Sequence, residues 1–434
     1  MSEPITVVGG GLAGAEAAWQ IARLGLPVHL FEMRPIRKTE AHRTDRLAEI
    51  VCSNSLKSDR PYNASWLLKE ELRQCGSLLL EIAGRCSVPA GGALAVDRER
   101  FSEAVTQAIE NASGINLHRQ EMTEIPDHGT VILASGPLTS PALSDSIRRL
   151  AGQDHLYFYD AISPIVDAET IDKSKVFRAS RYGRDSGDYL NCPMDKASYD
   201  RFYDALVSAE TVELHSFEET CFFEACLPIE EMARRGRDTL RFGPMKPVGL
   251  RNPDTGESYY AVVQLRQEDL MESSYNLVGF QNRMTFPEQR RVLQTIPGLE
   301  KATFLRLGQI HRNTYINAPD ILTPALSVKN RPQVFFAGQL AGTEGYIENI
   351  ATGLIAGINA VRTVKNLPAW VPPPETAMGA LIRYVSTPQK HFAPMNINFG
   401  LLPPVEGARR ERKQDRHKRI AERALERLGQ CQPA

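Results

Sequence analysis

The chain lacks what would make it a membrane, secreted or metal-dependent protein. It has no stretch of about 18 uninterrupted apolar residues, the length a membrane-spanning helix needs. Its first residues, Met1-Ser2-Glu3-Pro4, carry no basic segment, and Gly9, Gly10 and Gly11 break the apolar run behind them, so no signal peptide is expected. The seven cysteines form neither a CxxC pair nor a Cys/His cluster at zinc spacing. No metal site is expected, and an odd cysteine count in a long chain fits a reducing, cytoplasmic setting. Net charge is almost absent, 51 Lys+Arg against 52 Asp+Glu. That excludes a protein that coats nucleic acid by overall charge and leaves local patches to be read segment by segment. No internal repeat is found.

With 434 residues, 42% apolar and 24% charged, the composition is that of an ordinary globular protein. The length suits two or three domains, or one large α/β domain with an insertion. Ile5-Thr6-Val7-Val8 reads as a buried strand, followed by Gly9-Gly10-Gly11-Leu12-Ala13-Gly14 and a helix with apolar Ala17, Ala18, Ile21 and Leu24 that Gly25 ends. Val28-His29-Leu30-Phe31 then forms a second strand closing on Glu32. This is the start of a βαβ unit. Val131-Ile132-Leu133-Ala134 and Val334-Phe335-Phe336-Ala337 read as further strands of the same parallel sheet. From Trp66 to Ile82 the apolar spacing is helical and puts Cys75 on a core face.

A GxGxxG triplet alone is weak, since a chain this rich in glycine shows one by chance roughly one time in six. The context makes it specific: it follows a buried strand, opens a helix, and precedes an acid at a strand end. Gly9 permits the tight turn, Gly11 the approach of a pyrophosphate, and Gly14 the packing of helix on strand, while the helix N-terminus stabilises the phosphates. Gly10, Leu12 and Ala13 complete the loop. Glu32 would accept hydrogen bonds from an adenosine ribose, pointing to FAD or NAD rather than NADP. Far along the chain, Gly338 and Gln339 lead through Gly342 and Gly345 to Tyr346 and a small-residue helix from Ile350 to Val361. Two glycine-rich elements so far apart suit a cofactor as long as FAD. No second GxGxxG follows, which removes a separate nicotinamide domain.

Between about 160 and 325 the segments become shorter, mixed and more aromatic, as in Tyr157-Phe158-Tyr159 and Tyr259-Tyr260-Ala261-Val262-Val263, and read as an inserted α+β domain. Pro368, Pro372, Pro373 and Pro374 mark a linker, after which residues 408–427 form a basic helix with an apolar stripe at Ile420, Ala424, Leu425 and Leu428. Cys52 lies in a polar loop, and Cys226 precedes the cationic run Arg234, Arg235, Arg237, Arg241 and Lys246, where nearby cations would favour a thiolate. Cys75, Cys86, Cys192, Cys221 and Cys431 read as small buried hydrophobes. A redox pair Cys221–Cys226 is disfavoured by its place in the insertion. Each cationic segment is either a solvated, salt-bridged helix or a surface for RNA phosphates.

Four blocks resemble the TrmFO family, the bacterial folate- and FAD-dependent tRNA (uracil-5-)-methyltransferases: Val8 to Ala18, Val51-Cys52-Ser53-Asn54-Ser55-Leu56-Lys57, Gly236 to Leu250, and Met395-Asn396-Ile397-Asn398-Phe399-Gly400-Leu401-Leu402-Pro403-Pro404. The likeness spans nearly the whole chain. It implies a glutathione-reductase-type Rossmann FAD domain (1–160 and 326–370) holding an inserted α+β domain (161–325), with a C-terminal extension (371–434). It also implies reductive C5-methylation of the T-loop uridine of tRNA, with 5,10-methylenetetrahydrofolate as carbon donor and NADH or NADPH as reductant. In that reaction a thiolate adds to C6 of uracil, and Cys52 and Cys226 are the two cysteines that match the family; Cys226 is preferred as nucleophile. Tyr346 is placed to stack on a flavin or folate ring, and Arg237, Arg241, Lys246, Arg409 and Arg410 to hold the RNA backbone. No stable protein partner is implied. The same chemistry on ribosomal RNA, a small-molecule flavin oxidoreductase, and an RNA chaperone that keeps FAD structurally are the rival readings.

Overall fold

The computed structural model describes residues 3–39, 41–152, 156–183, 187–212, 227–390, 392–405, 407, 411–431 and 433, with the backbone alone for 156–161, 183 and 310–312. Its first sheet has six strands in the order Ser327–Val328, Arg331–Phe336, Val131–Leu133, Ile5–Val8, Val28–Glu32 and Ile115–Arg119. All pairings are parallel except the edge hairpin of the first two. Strands paired this way carry their apolar side chains on both faces, so Ile5, Val7, Leu30, Val131, Ile132 and Val334 are all inaccessible to solvent. The helices Leu12–Arg23 and Tyr346–Val364 cross against each other, because Gly353 and Gly357 carry no side chain: a Cβ at Gly353 would sit 2.2 Å from the carbonyl oxygen of Ala13. The helix after the second glycine motif thus begins at Tyr346, a full turn before the apolar run that marked it in the sequence.

A second six-stranded sheet, entirely antiparallel, runs Phe177–Arg178, Tyr189–Met194, Ala261–Gln267, Ser274–Leu277, Ile165–Asp167 and Phe304–Arg306. Helices Lys196–Val207, Ile229–Arg234 and Phe286–Leu293 close a separate core on it around Cys192, Tyr199, Phe202 and Phe280. The strands Leu156–Ala161 and Ile310–Tyr315 pair antiparallel where the chain passes between the two cores. A small sheet, Ser55–Ser58, Ala93–Val96 and Ser87–Val88, flanks the junction.

Three expectations are corrected. The helical pattern of 66–82 is two helices, Ala64–Gln74 and Leu78–Arg85, because Gly76 takes a left-handed conformation (φ +73°) and Ser77 caps the second through a hydrogen bond from Leu80 N–H. Cys75 remains in the core, where burial pushes its thiol up to about 12. Cys431 is exposed at the end of the last helix, Lys413–Gln430, rather than buried. The proline-rich segment is packed, not merely a spacer: Trp370 is buried and exchanges backbone hydrogen bonds with the side chain of Asn359.

That segment leads into a helix with no counterpart in the sequence reading, Ala377–Ser386, whose amino end is closed by a residue three hundred positions earlier. Glu71, fully buried, accepts hydrogen bonds from the N–H groups of Ala377 (2.6 Å) and Met378 (2.8 Å), and Thr376 caps Gly379. The Glu71 carboxyl, which burial pushes up to about 8 against the pull of these two N–H groups, meets the positive end of the helix where both would otherwise be unsatisfied. Replacing Glu71→Ala should lower the unfolding free energy by about 2–4 kcal/mol in urea titrations, and Glu71→Gln, which keeps one acceptor, should lose less.

Candidate functional site

Gly9 to Ala13, Glu32 to Arg34, the turn Ala134 to Leu138, and Gly338, Gln339, Tyr346 and Asn349 line one continuous cavity at the carboxyl edge of the parallel sheet. The three motif glycines serve different ends. A Cβ on Gly9 or Gly14 would strike backbone, at 2.4 Å from Ala134 O and 1.8 Å from Gly9 O, so the fold itself demands glycine there. At Gly11 a Cβ would meet nothing within 4 Å. No atom of the protein requires a glycine at that position, and a pyrophosphate lying on the loop would. The opening helix has neither a side-chain cap nor an acid in its first turn, leaving its positive end toward the cavity. These residues fit FAD.

Glu32 is held by three hydrogen bonds. Its Oε2 accepts from Gly10 N–H (2.9 Å) and its Oε1 from the N–H and Nε of Arg34 (3.0 and 2.8 Å). Burial pushes this carboxyl up, but the hydrogen bonds and charge of Arg34 and the Gly10 N–H outweigh it and hold the group below the usual carboxylate range. It stays an acceptor. Arg34 also bridges to Glu49 (3.1 Å). In the second motif the Gly338 N–H donates to Thr352 Oγ1 (2.9 Å) and the Gln339 amide to Glu344 (2.7 Å), so Gln339 ties its own loop together.

Tyr346 does more than offer a ring to this cavity. Its hydroxyl oxygen accepts the backbone N–H groups of Cys52 (2.9 Å) and Ser53 (3.1 Å), which fixes the Cys52 loop to the first turn of the second cofactor helix. Burial, then the charge of Cys52, raises the pKa of this phenol. Three arginines hold the same loop from the other side: Arg98 donates to Ile50 O (2.8 Å), Arg306 to Val51 O (2.8 Å), and Arg266 to Ser53 Oγ (2.7 Å) and Asn54 Oδ1 (2.8 Å). Of these only Arg98 has a carboxylate partner among the described residues, Glu268. Burial, with the charges of Arg98 and Arg43, brings Arg306 down to about 10. The half-buried Cys52 thus sits in a cationic surround, at the edge of the cofactor cavity.

The residues missed in the sequence are these arginines and Asn54. Asn54 stood in a quoted block without a role, and the polar Gln264, Arg266 and Gln267 inside an otherwise apolar strand were the available signal for the rest. Of the residues read as RNA contacts, Arg237 is paired with Asp200 (2.8 Å) and Asp204 (2.5 Å) and lies over the ring of Tyr203, while Arg241 pairs with Asp238 (2.7 Å) and stacks on Tyr260. Both brace the insertion, and Lys246 is half-buried on the loop after them. Cys221, Cys226, Arg409 and Arg410 lie outside the described residues. Among the described residues no His/Cys/Asp/Glu group suits a metal ion, and no helix is long and apolar enough to cross a membrane.

Residues 4–368 match the family model described as glucose inhibited division protein A. The chain is 56% identical over 429 residues to a protein of Desulforudis audaxviator named methylenetetrahydrofolate–tRNA-(uracil-5-)-methyltransferase TrmFO, covering 99% of this chain and 98% of that one. It is 55% identical over 430 residues to the protein of the same name from Geobacter sulfurreducens, with the same coverage. Among solved structures it is similar to Aquifex aeolicus GidA, with a TM-score of 0.72 at 17% identity over 99% of this chain and 75% of that one, a likeness of fold.

Two outcomes test the cavity. Gly11→Leu should yield a folded, colourless protein, whereas Gly14→Ala should fail to fold; circular dichroism and the visible spectrum separate them. His42, on the cavity wall, is brought down to about 4 by burial and by the charge of Arg34. It folds neutral, so the unfolded chain binds the extra proton. Stability should therefore fall as pH drops from about 6.5 toward 4, by at most about 1.4 kcal/mol per pH unit, and His42→Gln should flatten that slope in urea midpoints.

Proposed function

The chain belongs to the TrmFO family, and we propose that it methylates C5 of the T-loop uridine of tRNA, with FAD as cofactor, 5,10-methylenetetrahydrofolate as carbon donor and NADH or NADPH as reductant. The observation that carries this reading is that Tyr346, which lines the same cavity as the phosphate-binding loop, anchors the Cys52 loop with its hydroxyl.

Uracil C5 becomes nucleophilic only after a thiolate adds to C6, and the proton on C5 must later be removed. We assign the addition to Cys226 and the proton transfer to Cys52. Arg98, Arg266 and Arg306 keep the loop in one position by filling its carbonyl and side-chain acceptors, so that the thiol does not have to be ordered when substrate arrives. Bound FAD, held by Gly9 to Gly14, Glu32, Gly338 and Gln339, supplies the reducing chemistry that completes the methyl group. The target base, stacked in a folded T-loop, has to be turned out to reach this cavity. In the same proposal the FAD domain comprises 1–160 and 326–370, the insertion 161–325 brings the RNA side, and the enzyme works in the cytoplasm.

Incubating the protein with a T-loop stem RNA, methylenetetrahydrofolate and NADPH should produce folate-dependent 5-methyluridine by mass spectrometry. Cys52→Ala and Cys226→Ala should each reduce turnover at least about a hundredfold with FAD content unchanged. Product on ribosomal RNA but not on tRNA would change the substrate, and undiminished turnover in either variant would remove that cysteine from the mechanism.

A further inference from the structure

Resting on the RNA reading above, we propose that Arg306, supported by Arg266 and Asn276, is the oxyanion site of the reaction: its guanidinium takes O4 of the target uracil as addition of the thiolate to C6 drives negative charge onto that oxygen. The sheet of the insertion sets the three side chains in one row. Arg266 pairs with Asn276, Asn276 with Ile165, and Ile165 with Arg306 across successive antiparallel strands. Their neighbours Leu265, Tyr275, Leu277 and Val166 fill the core of the insertion. Alternation along the strands therefore turns the row to the opposite face, where Arg266 and Arg306 meet the Cys52 loop.

The row holds more donors than its surroundings hold acceptors. Arg306 is 8% exposed, Arg266 7% and Asn276 2%. Among the described residues Arg306 donates only through Nη1, to Val51 O, and Arg266 only through Nε and Nη2, to Asn54 Oδ1 and Ser53 Oγ. The Nδ2 of Asn276 is buried with no acceptor at all among them. One carboxylate is bonded in this cluster, Glu268, and its partner is Arg98, whose charge acts against both other arginines. Burying cations that repel one another beside an idle amide costs stability that packing does not return. An acceptor that develops negative charge completes the set.

The position selects that acceptor. The two arginines hold the residues on either side of Cys52, Val51 lines the cofactor cavity, and the charge of Arg306 acts on His42 in the cavity wall. A backbone phosphate, flanked by its sugars, meets cations at a surface, and these are more than nine-tenths buried. A uracil turned out of its stack enters edge first and offers a single exocyclic oxygen. When the C6–S bond forms, the C5–C6 π pair moves to C4–C5 and the carbonyl π pair to O4, which Arg306 hydrogen-bonds while keeping its own proton. C5 of this enolate then attacks the one-carbon unit. Donors already fixed in a site closed to water stabilise such an oxygen more than water does. Arg306 has two nitrogens to spare for it, whereas Arg266 is committed to Ser53 and Asn54.

The test uses a T-loop stem RNA carrying tritium on C5 of the target uridine and the full-length holoenzyme without folate or NADPH. Addition to C6, uptake of a solvent proton at C5 and elimination of the thiolate should release the tritium to water. Arg306→Gln should slow this release at least about a hundredfold, the low end for one oxyanion donor, and Arg306→Lys should restore part of it; RNA affinity, FAD content and melting temperature should match wild type in both. In RNA with 4-thiouridine at the target, whose sulfur accepts a hydrogen bond poorly, Arg306→Gln should cost far less. Equal losses on the two RNAs would overturn the proposal and leave Arg306 acting only through the position of the Cys52 loop. Weaker RNA binding with unchanged release would overturn it in favour of a phosphate, and loss of FAD in favour of the cofactor. Wild-type enzyme that methylates with folate and NADPH yet never releases tritium without them would also overturn it. Wild-type enzyme that neither methylates the RNA nor releases tritium would sink the functional reading itself.

Discussion

Asn54 is the residue through which the two halves of this molecule are pinned together. It is fully buried, and every polar atom of its side chain is used across a boundary. Its amide donates to Val96 O (3.2 Å) in the small sheet and to Gln267 O (3.0 Å) in the insertion, while its oxygen accepts from Arg266 (2.8 Å). Its backbone carbonyl takes the Val96 N–H as well (2.9 Å). A buried amide that lost any of these would leave donors and acceptors in a medium where each unsatisfied group costs about 1–3 kcal/mol. The side chain therefore has one arrangement, and so does the loop two residues before it. The location of Cys52 follows from the requirement that Asn54 be satisfied.

The strand that continues from this loop is fixed by an equally unusual device. Lys69, with no solvent exposure, points its ammonium at three consecutive carbonyls, Leu56 (3.0 Å), Lys57 (3.3 Å) and Ser58 (2.8 Å), with Asp59 at 3.4 Å. Burial brings its pKa down to about 8, with the charge of Asp59 acting against that shift. Converging carbonyls can be tolerated at this density only because a cation sits among them. They in turn hold Lys57 in a left-handed conformation (φ +64°), from which its ammonium reaches Glu348 (2.7 Å) in the first turn of the Tyr346 helix, and also Asn396. The Cys52 loop and the second cofactor helix are thus tied twice, by Tyr346 to Cys52 and by Lys57 to Glu348.

What could be read in the sequence was local. The first βαβ unit is legible because a pyrophosphate, a tight turn and a helix packed on a strand each impose a glycine within six residues, and Gly9, Gly11 and Gly14 carry those demands in order. The insertion was legible as a change of texture. The break at Gly76 was not, since apolar spacing continues across it and only the left-handed φ of one residue separates the two helices. Nor could the clamp on Cys52 be found that way. Arg98, Arg266 and Arg306 stand far apart in sequence and look like ordinary surface cations until the fold buries them. The same holds for Glu71, whose partner helix has no sequence signal strong enough to outweigh the prolines before it. Arg237 and Arg241 show how little a run of cations says of its partners: Arg241 pairs with Asp238 three residues away, and Arg237, still exposed, with Asp200 and Asp204 some thirty-five residues away.

The topology explains why a site shared between two cores can be rigid at all. The chain leaves the parallel sheet at Val131–Leu133 and returns to it at the hairpin of Ser327–Val328 and Arg331–Phe336; Val131–Leu133 and Arg331–Phe336 are hydrogen-bonded neighbours, with Val334 opposite Val131 and Phe336 opposite Leu133. An excursion of that length costs little in closure entropy, which grows only with the logarithm of the loop. It would nonetheless swing about its two crossing points if nothing else held it. The antiparallel pair Leu156–Ala161 and Ile310–Tyr315 stiffens the crossing, and the contacts of Asn54, Arg98, Arg266 and Arg306 lock the far side. Because those locking residues are the ones that hold the Cys52 loop, the attachment of the insertion and the positioning of the thiol are one structural event. A substitution that loosens the attachment must also misplace Cys52.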